Sequence, residues 1–543
     1  MLSGGPPAPW KHPTLQQALA AAAQGAWGLT FLDAQENERA LPFSELYARA
    51  LRAAGALRER GIRRGDRVAI VLPTCVEFMD AFFGALLAGA VPVPLYPPVR
   101  LGRLDEFHRR TARMIRISGA RLVLSDARIS KFLGVAVAEA RPELGLRKVE
   151  QGAPHQDAGG PDDLALIQFS SGTTVDPKPV ALSHRNVLAN VAAIRTIVPE
   201  DDAQAGVSWL PLYHDMGLIG CLLLAVVRPG PLTLINPEAF LAKPALWLRA
   251  ISKKRATLSV APNFAYGLCV RRIRDDELRG VDLSSWRFAL NGAEPVAPAV
   301  LRRFSERFAK HGFDPRALMP VYGLSEASLA VTFTPPGRGP RTKGGARELA
   351  SVGAPLPGIE IDERSGRIFV RGPSVMREYF GNPAATRAVL QDGWLDTGDL
   401  GFIEDGELFV TGRAKEVVIL RGVNHAPQEF EDALDGLVGV RPGCSVAVAL
   451  PTEDGEELAL LVERSGEVSE DAVRSRVVER TGVRPHAVHL LAPGTLPRTS
   501  SGKLRRAEAL RQLLAGELRA PDRVTLLHLA KEAARSMLAK ARG

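Results

Sequence analysis

The feature that most constrains this chain is an alternation of short apolar runs with longer helix-patterned stretches. RVAIVL (67–72) precedes the apolar, alanine-rich FMDAFFGALLAGA (78–90), and AVPVPLY (90–96) follows. ARLVLSD (120–126) precedes ARISKFLGVAVAEA, and LALIQFS (164–170), ATLSVAP (256–262) and WRFALNG (286–292) come later. Runs this short and this apolar suit strands buried on both faces, and the stretches between them suit helices. The expectation is an α/β layered fold with helices on both faces of a largely parallel sheet. The chain has 543 residues, more than one hydrophobic core holds, so about two to four domains are expected.

The texture changes along the chain. Between 350 and 410, SVGAPLPGIEIDERSGRIFVRGP and GELFVTGR are β-like pieces cut by glycines, and predict a small β-rich subdomain. After Arg413, EVVILRG, the acidic APQEFEDALDGL, SVAVAL, LALLVER and AVHLL alternate as in a separate small α+β domain. The expected division is 1–412, with its β-rich part at about 350–412, then 413–510, then a basic helical tail over 511–543, with a hinge in GRAKE. The Pro/Gly/Arg stretch 335–348 reads as a mobile loop. No internal repeat is evident.

Composition excludes several classes. Four scattered cysteines (Cys75, Cys221, Cys269, Cys444) show no ligand spacing, so neither a disulfide framework nor a structural zinc site is expected, and a reducing, cytoplasmic setting fits. The N-terminal stretch has no long apolar run behind a basic start, so no signal peptide is expected. The most apolar run, GLIGCLLLAVV (217–227), is too short to span a bilayer and reads as a buried helix. The net charge of +9 is spread out, and aromatics are only 6% of the chain with no interleaved basic patch. Nucleic-acid binding through stacking has no specific support.

Several segments carry chemistry. In IQFSSGTTVDPKPVALSHRN (167–186) a strand runs into four hydroxyls broken by a glycine, then a lysine between two prolines. Turn N–H groups with hydroxyls beside them surround a phosphate well. The prolines remove two donors, so the donors come from 170–174. No GxxxxGK[ST] loop is present, and a polar turn of no special role accounts for the composition equally well. In SWLPLYHDMGLIG (208–220) His214 stands at the mouth of an apolar helix; for a lone histidine a core or capping role is the default. LNGAEPV (290–296) offers small residues at a strand end. In PVYGLSEAS (320–328) Tyr322 suits a ring face and Glu326 a hard cation. DGWLDTGDLG (392–401) brings Asp399, a candidate acceptor for ribose hydroxyls. TGRAKEVVILRGVN (411–424) and LPRTSSGKLRR (496–506) complete the set.

Together and in this order these segments resemble the adenylate-forming enzymes: acyl-CoA synthetases, peptide-synthetase adenylation domains and firefly-luciferase-like proteins. The resemblance covers roughly 43–506. LPLYHDMGLIG, GAEP, YGLSEASLA and RGVNHAPQEFE look most like the fatty-acyl-AMP ligase branch. The resemblance implies a large N-terminal domain of layered α/β subdomains plus a small β-rich subdomain, with a small mobile α+β C-terminal domain. It implies activation of a medium- or long-chain fatty acid with ATP and Mg²⁺, and transfer to the thiol of an acyl carrier protein or a synthetase carrier domain.

Residue roles follow from the same resemblance. Ser170, Ser171, Gly172, Thr173 and Thr174, with Lys178, would hold the β- and γ-phosphates. His214 would gate the carboxylate and α-phosphate. Gly292, Ala293 and Glu294 would line the adenine pocket, with Tyr322 stacked on the base. Glu326 would bind Mg²⁺, and Asp399 and Arg413 the ribose. Lys415 falls at the hinge, and Lys503 would reach the carboxylate and α-phosphate oxygens.

Two departures stand out. The family loop resembles SGSTGDPKG, whereas Val175 and Pro179 replace two of its glycines here, and Val175 resists φ > 0. Extra residues that often follow the Glu326 motif in acyl-AMP ligases are short here, over 331–351. The second departure favours an alternative, a long-chain fatty acid–CoA ligase. The first motivates an inactive adenylate-binding scaffold.

Overall fold

The computed structural model describes residues 1–98, 101–170, 177–198, 204–344, 348–420, 423–452, 455–499, 502–521 and 525–542. Its central element is a nine-stranded sheet. Gly28–Leu32, Leu232–Ile235, Gly206–Ser208, Leu258–Ala261, Phe288–Asn291 and Leu318–Gly323 run parallel through its middle. Antiparallel strands close both ends. A second, four-stranded parallel sheet holds Val91–Leu95, Arg67–Val71, Ala120–Ser125 and Leu146–Arg147. Val68, Ala69, Ile70 and Val71 are wholly buried, as a strand covered by helices on both faces requires. The α/β expectation holds, with two parallel sheets in place of one.

The run 217–227 is not one regular helix. A short helix Asp215–Gly217 leads into a π-helical turn, Leu218–Leu223, and then Leu224–Val227. Such turns cluster at functional sites. Among the described residues no helix is long and apolar enough to cross a membrane.

Glu360–Arg364, Arg367–Arg371, Trp394–Glu404 and Glu407–Arg413 form most of a six-stranded antiparallel sheet. Of the stretch 335–348, expected to be a mobile loop, residues 335–344 are pinned to this sheet. Arg338, Arg341 and Lys343 pair with Glu407, Asp405 and Glu404 at the turn between its last two strands. Thr342–Lys343 pairs antiparallel with Leu349–Ala350.

The C-terminal domain is built on Val440–Thr452, Gly455–Arg464 and Ala487–Leu491. Alternation along these strands buries both faces. Ala447, Leu458, Leu460 and Val462 face the helices Pro427–Ala433 and Glu470–Thr481, while Val446, Val448, Ala459 and Leu461 face Arg506–Leu514. The expected boundary at 510/511 therefore cuts a helix of this domain, because Ala509, Leu510 and Leu513 complete its second core. The tail is not one peripheral helix either: Leu526–Arg542 returns to the N-terminal domain and lies along Ser130–Ala140.

Candidate active site

The parallel strands of the central sheet release their carboxyl ends along one edge, where open α/β sheets bind ligands. Gly206–Ser208 leads to His214, Phe288–Asn291 to Ala293 and Glu294, and Leu318–Gly323 to Glu326. Sheet topology thus gathers residues that are far apart in sequence.

At one end of the site Leu164–Phe169 and Pro179–Ser183 pair antiparallel, with Phe169 opposite Pro179. The Ser170 N–H donates to the Lys178 carbonyl at 2.9 Å, and the Lys178 N–H to Ser170 Oγ at 3.4 Å. Ser170 and Lys178 therefore close the end of this antiparallel pair. Ser171, Gly172, Thr173, Thr174 and Val175 lie outside the described residues. Lys178 Nζ stands 3.4 Å from the Tyr379 hydroxyl and 4.6 Å from its ring centre. Tyr379 donates in turn to Glu326 Oε1 at 2.8 Å. Burial lowers the Lys178 ammonium from its ordinary value; Glu326 opposes this, and Lys415 and Arg413 add to it. Tyr379 was not singled out from the sequence. Its only signal is that Glu378–Tyr379 pairs with the lysine-bearing strand, Tyr379 opposite Val180.

At the centre His214 caps the helix Asp215–Gly217. Its Nδ1 accepts the Met216 N–H at 3.3 Å and lies 2.6 Å from Asp215 Oδ1, and the side chain lines the cavity. Asp215 also accepts the Met216 N–H at 2.7 Å and the Ser325 hydroxyl. Burial alone would raise the Asp215 carboxyl, but His214, Ser325 and the Lys503 charge hold it well below the usual carboxylate range.

At the other end the strand register sets Asp399 opposite Arg413. Arg413 Nε lies 3.1 Å from Asp399 Oδ1, and Tyr322 Oη donates to Asp399 Oδ2 at 2.6 Å. Burial raises Asp399, while Arg413 and Tyr322 oppose it; Asp399 in turn holds the Arg413 guanidinium above its ordinary value. Ala293 takes a left-handed φ of 68°, a costly conformation for a residue with a Cβ and a common one at ligand sites. Glu294 Oε1 accepts the Phe264 N–H at 2.5 Å, and burial raises its carboxyl. Gly292, expected to line the adenine pocket, stands close against the next strand. A Cβ there would lie 2.7 Å from Val321 Cγ2, so the missing side chain serves strand packing.

Lys503 comes from the C-terminal domain. Its loop is closed by the Thr499 N–H donating to the Lys503 carbonyl at 2.8 Å and the Lys503 N–H to Thr499 Oγ1 at 3.0 Å. Burial lowers the Lys503 ammonium, against the pull of Asp215, Glu294 and Asp399. Its side chain lines one cavity together with Ser170, Lys178, His214, Tyr322, Glu326 and Arg413. That cavity, about 160 Å³, continues along an apolar wall of Ile194, Met216, Leu224, Val260, Leu329 and Phe333. A cleft of about 870 Å³ between the domains adjoins it at Ala293, Tyr322, Arg413 and Lys503, and Glu294 and Asp399 line this cleft. Lys415 stands exposed just beyond Arg413. Behind it Arg506 bridges Glu416 at 2.9 Å and Glu431 at 2.6 Å.

A cavity with an apolar arm, two lysines from separate domains and a Tyr–Asp–Arg cluster suits an acyl group joined to a nucleotide. The family model for AMP-binding enzymes matches residues 19–380. A Caulobacter vibrioides protein named as a candidate acyl-CoA synthetase is 37% identical, covering 93% of this chain and 96% of its own. The long-chain-fatty-acid–AMP ligase FadD26 of Mycobacterium marinum is 34% identical, covering 88% of this chain and 92% of its own. A solved structure from studies of fatty acyl-adenylate ligases of E. coli and L. pneumophila superposes with a TM-score of 0.87 at 34% identity, over 94% of this chain and 99% of that one. The chain therefore belongs to the AMP-binding enzyme family, the ATP-using, adenylate-forming superfamily, in the company of its fatty acyl-AMP ligases.

Proposed function

We propose that this enzyme joins the carboxylate of a medium- or long-chain fatty acid to AMP, releases pyrophosphate, and passes the acyl group to the phosphopantetheine thiol of an acyl carrier protein or carrier domain. The observation that supports this reading most is Lys503, which the C-terminal domain carries into the same cavity as Lys178, His214, Tyr322 and Arg413 beside an apolar wall.

In the first step a carboxylate oxygen attacks the α-phosphorus, a C–O–P bond forms, and the bond to the pyrophosphate oxygen breaks. Two anions meet, so the site must hold preorganised positive charge where negative charge develops. Lys503 neutralises the carboxylate and α-phosphate oxygens. Lys178 meets the departing pyrophosphate beside Ser170. His214 orients the carboxylate, with Asp215 fixing the ring. Asp399 accepts ribose hydroxyls, and Tyr322 covers the base. Glu326 offers one hard carboxylate beside Lys178, with an oxygen accepting from Tyr379. One carboxylate plus phosphate oxygens is the usual way of holding Mg²⁺, so these residues fit the ion, which when bound supplies further charge neutralisation. In the second step the thiol attacks the acyl carbon and AMP leaves. Lys503 must withdraw first, and rotation about Lys415 achieves that.

The test is incubation with ATP, Mg²⁺ and radiolabelled dodecanoate, then addition of CoA or a holo acyl carrier protein. The expected result is acyl-AMP that persists with CoA and moves to the carrier. Absence of acyl-AMP with any chain length would leave the scaffold reading. Rapid acyl-CoA formation would establish the second reading, a fatty acid–CoA ligase. The short 331–351 segment favours that alternative, as does the name of the Caulobacter relative. The four cysteines are free thiols, which suits work in the cytoplasm.

A further inference from the structure

The chain returns to the N-terminal domain after the C-terminal domain is complete, and the contact is close. The Gly134 N–H donates to Ser536 Oγ at 2.6 Å, and a Cβ on Gly134 would stand 1.9 Å from the Ser536 carbonyl oxygen. Only glycine permits two helix backbones to meet this way. Ser536 is 1% exposed. Arg535 pairs with Asp105 at 2.8 Å and with Glu532 at 3.6 Å. Asp105 and His108 on one helix and Glu532 on the tail have the spacing of a metal-ligand set. Arg535 already neutralises both carboxylates, so the group acts as part of the contact.

The neighbouring helix Leu104–Ser118, whose Asp105 pairs with Arg535, also meets the C-terminal domain. Arg103, just before the helix Leu104–Ser118, donates to the carbonyls of Gly494, Thr495 and Arg519 at 3.3, 2.9 and 3.2 Å. Glu106 pairs at 3.3 Å with Arg505, which is 2% exposed. Thr495 and Arg505 bracket the Lys503 loop. The link from Ala515 to Thr525 spans at most about 36–40 Å fully extended. Arg519 within it is already engaged, and Pro521 packs on Gly494.

We propose that the helix Leu526–Arg542 is a strap that selects the acceptor thiol by holding the C-terminal domain, and with it Lys503, over the adenylation site. This rests on the reading that thiol transfer requires Lys503 to leave. The domain is tied at the hinge and again through the strap, so a large turn about Lys415 strains or detaches the tail. A ligand shifts such an equilibrium only by its differential affinity for the two poses. A carrier protein brings an extended surface that favours the turned pose, whereas free CoA brings little. The strap thus favours carriers.

The test uses the full-length chain with Gly134→Leu, with Ser536→Ala plus Arg535→Glu, and, as a separate sample, the chain ending at Pro521. None of these changes touches the cavity. Acyl-AMP formation is measured first, then transfer to CoA and to a holo carrier, then hydrogen exchange at 130–140 and 494–505. The expected result is acyl-AMP formation within about twofold of the parent, acyl-CoA formation up by about tenfold, and faster exchange at both segments. Faster exchange at 130–140 alone, with acyl-CoA formation unchanged, overturns the strap. A tenfold loss of acyl-AMP formation with unchanged transfer overturns it too. If acyl-AMP forms but neither parent nor variants pass it to any thiol, the transfer reading fails by itself. Exchange at 494–505 then decides: faster in the variants supports the strap, and unchanged refutes it.

Discussion

Lys178 and Lys503 face one cavity from supports of opposite kind. Lys178 sits at the foot of a strand buried throughout Pro179–Ser183, flanked by Tyr379 and Glu326 from the same domain. Lys503 sits on a loop of another domain, closed by Thr499 and held in place by contacts of Arg103 and Glu106 with its neighbours. On the proposed mechanism the first is preorganised and stays put, and the second is delivered and then withdrawn. A two-step reaction needs both kinds. The leaving phosphates require a fixed charge, whereas the acyl-adenylate must be uncovered before a thiol reaches it.

The sharpest way to break the contrast is Lys503→Ala. Adenylate formation should fall about 10²- to 10³-fold, the usual cost of losing one donor to developing charge. Transfer from chemically prepared acyl-AMP to thiol should fall far less. Equal losses in both half-reactions, measured separately, would show Lys503 to be as fixed as Lys178.

Acid should strike the fixed support first. His184 follows the strand that carries Lys178, accepts the Leu15 N–H at 3.2 Å, and is pushed down to about 4 by burial, from an ordinary 6.5. Between about pH 6.5 and 4 the unfolded chain takes up a proton that the folded chain refuses, so stability falls as pH falls. The loss approaches about 3 kcal/mol at pH 4. Melting curves at pH 7, 6 and 5 should show the decline, and His184→Gln should flatten it.

Asp399→Asn weakens the ribose end and removes a charge from Arg413. A charge-assisted hydrogen bond contributes about 1.5–3 kcal/mol, so the KM for ATP should rise about 10- to 100-fold, with a small change in the KM for fatty acid. The smallest effect belongs to Tyr379→Phe. It unlinks Lys178 from Glu326 and should slow pyrophosphate release by a few-fold, in line with about 0.5–1.5 kcal/mol for a neutral hydrogen bond. An unchanged rate would mean that the tyrosine ring alone holds Lys178.

Much of the site was legible because its residues carry chemical types at strand ends. Tyr322, Glu326, Asp399, Arg413 and Lys503 stand in short motifs whose neighbours are glycines or turn formers, and each reaches one of the two cavities. Gly292 was expected to line the adenine pocket; a glycine at a strand end has two equally local uses, ligand approach and strand packing, and a Cβ there would meet Val321. Tyr379 was invisible because its role depends on pairing with Val180, about two hundred residues away in sequence. The stretch 335–348 looked mobile by composition, yet Arg338, Arg341 and Lys343 meet a row of acids on a neighbouring turn.

By itself, the sequence determined the alternation that makes the parallel sheets, the chemistry available at their ends, and the period-two burial of the C-terminal strands. These are local properties, set by side-chain type and spacing along one segment. Tertiary structure alone decided where the second lysine stands, which glycine packs and which opens a site, and where the tail goes. The last of these turned on Gly134, an unremarkable glycine inside an apolar helix, whose missing Cβ admits the Ser536 backbone from the far end of the chain. Contacts between distant segments depend on shape complementarity at close range, and no spacing within either segment encodes it.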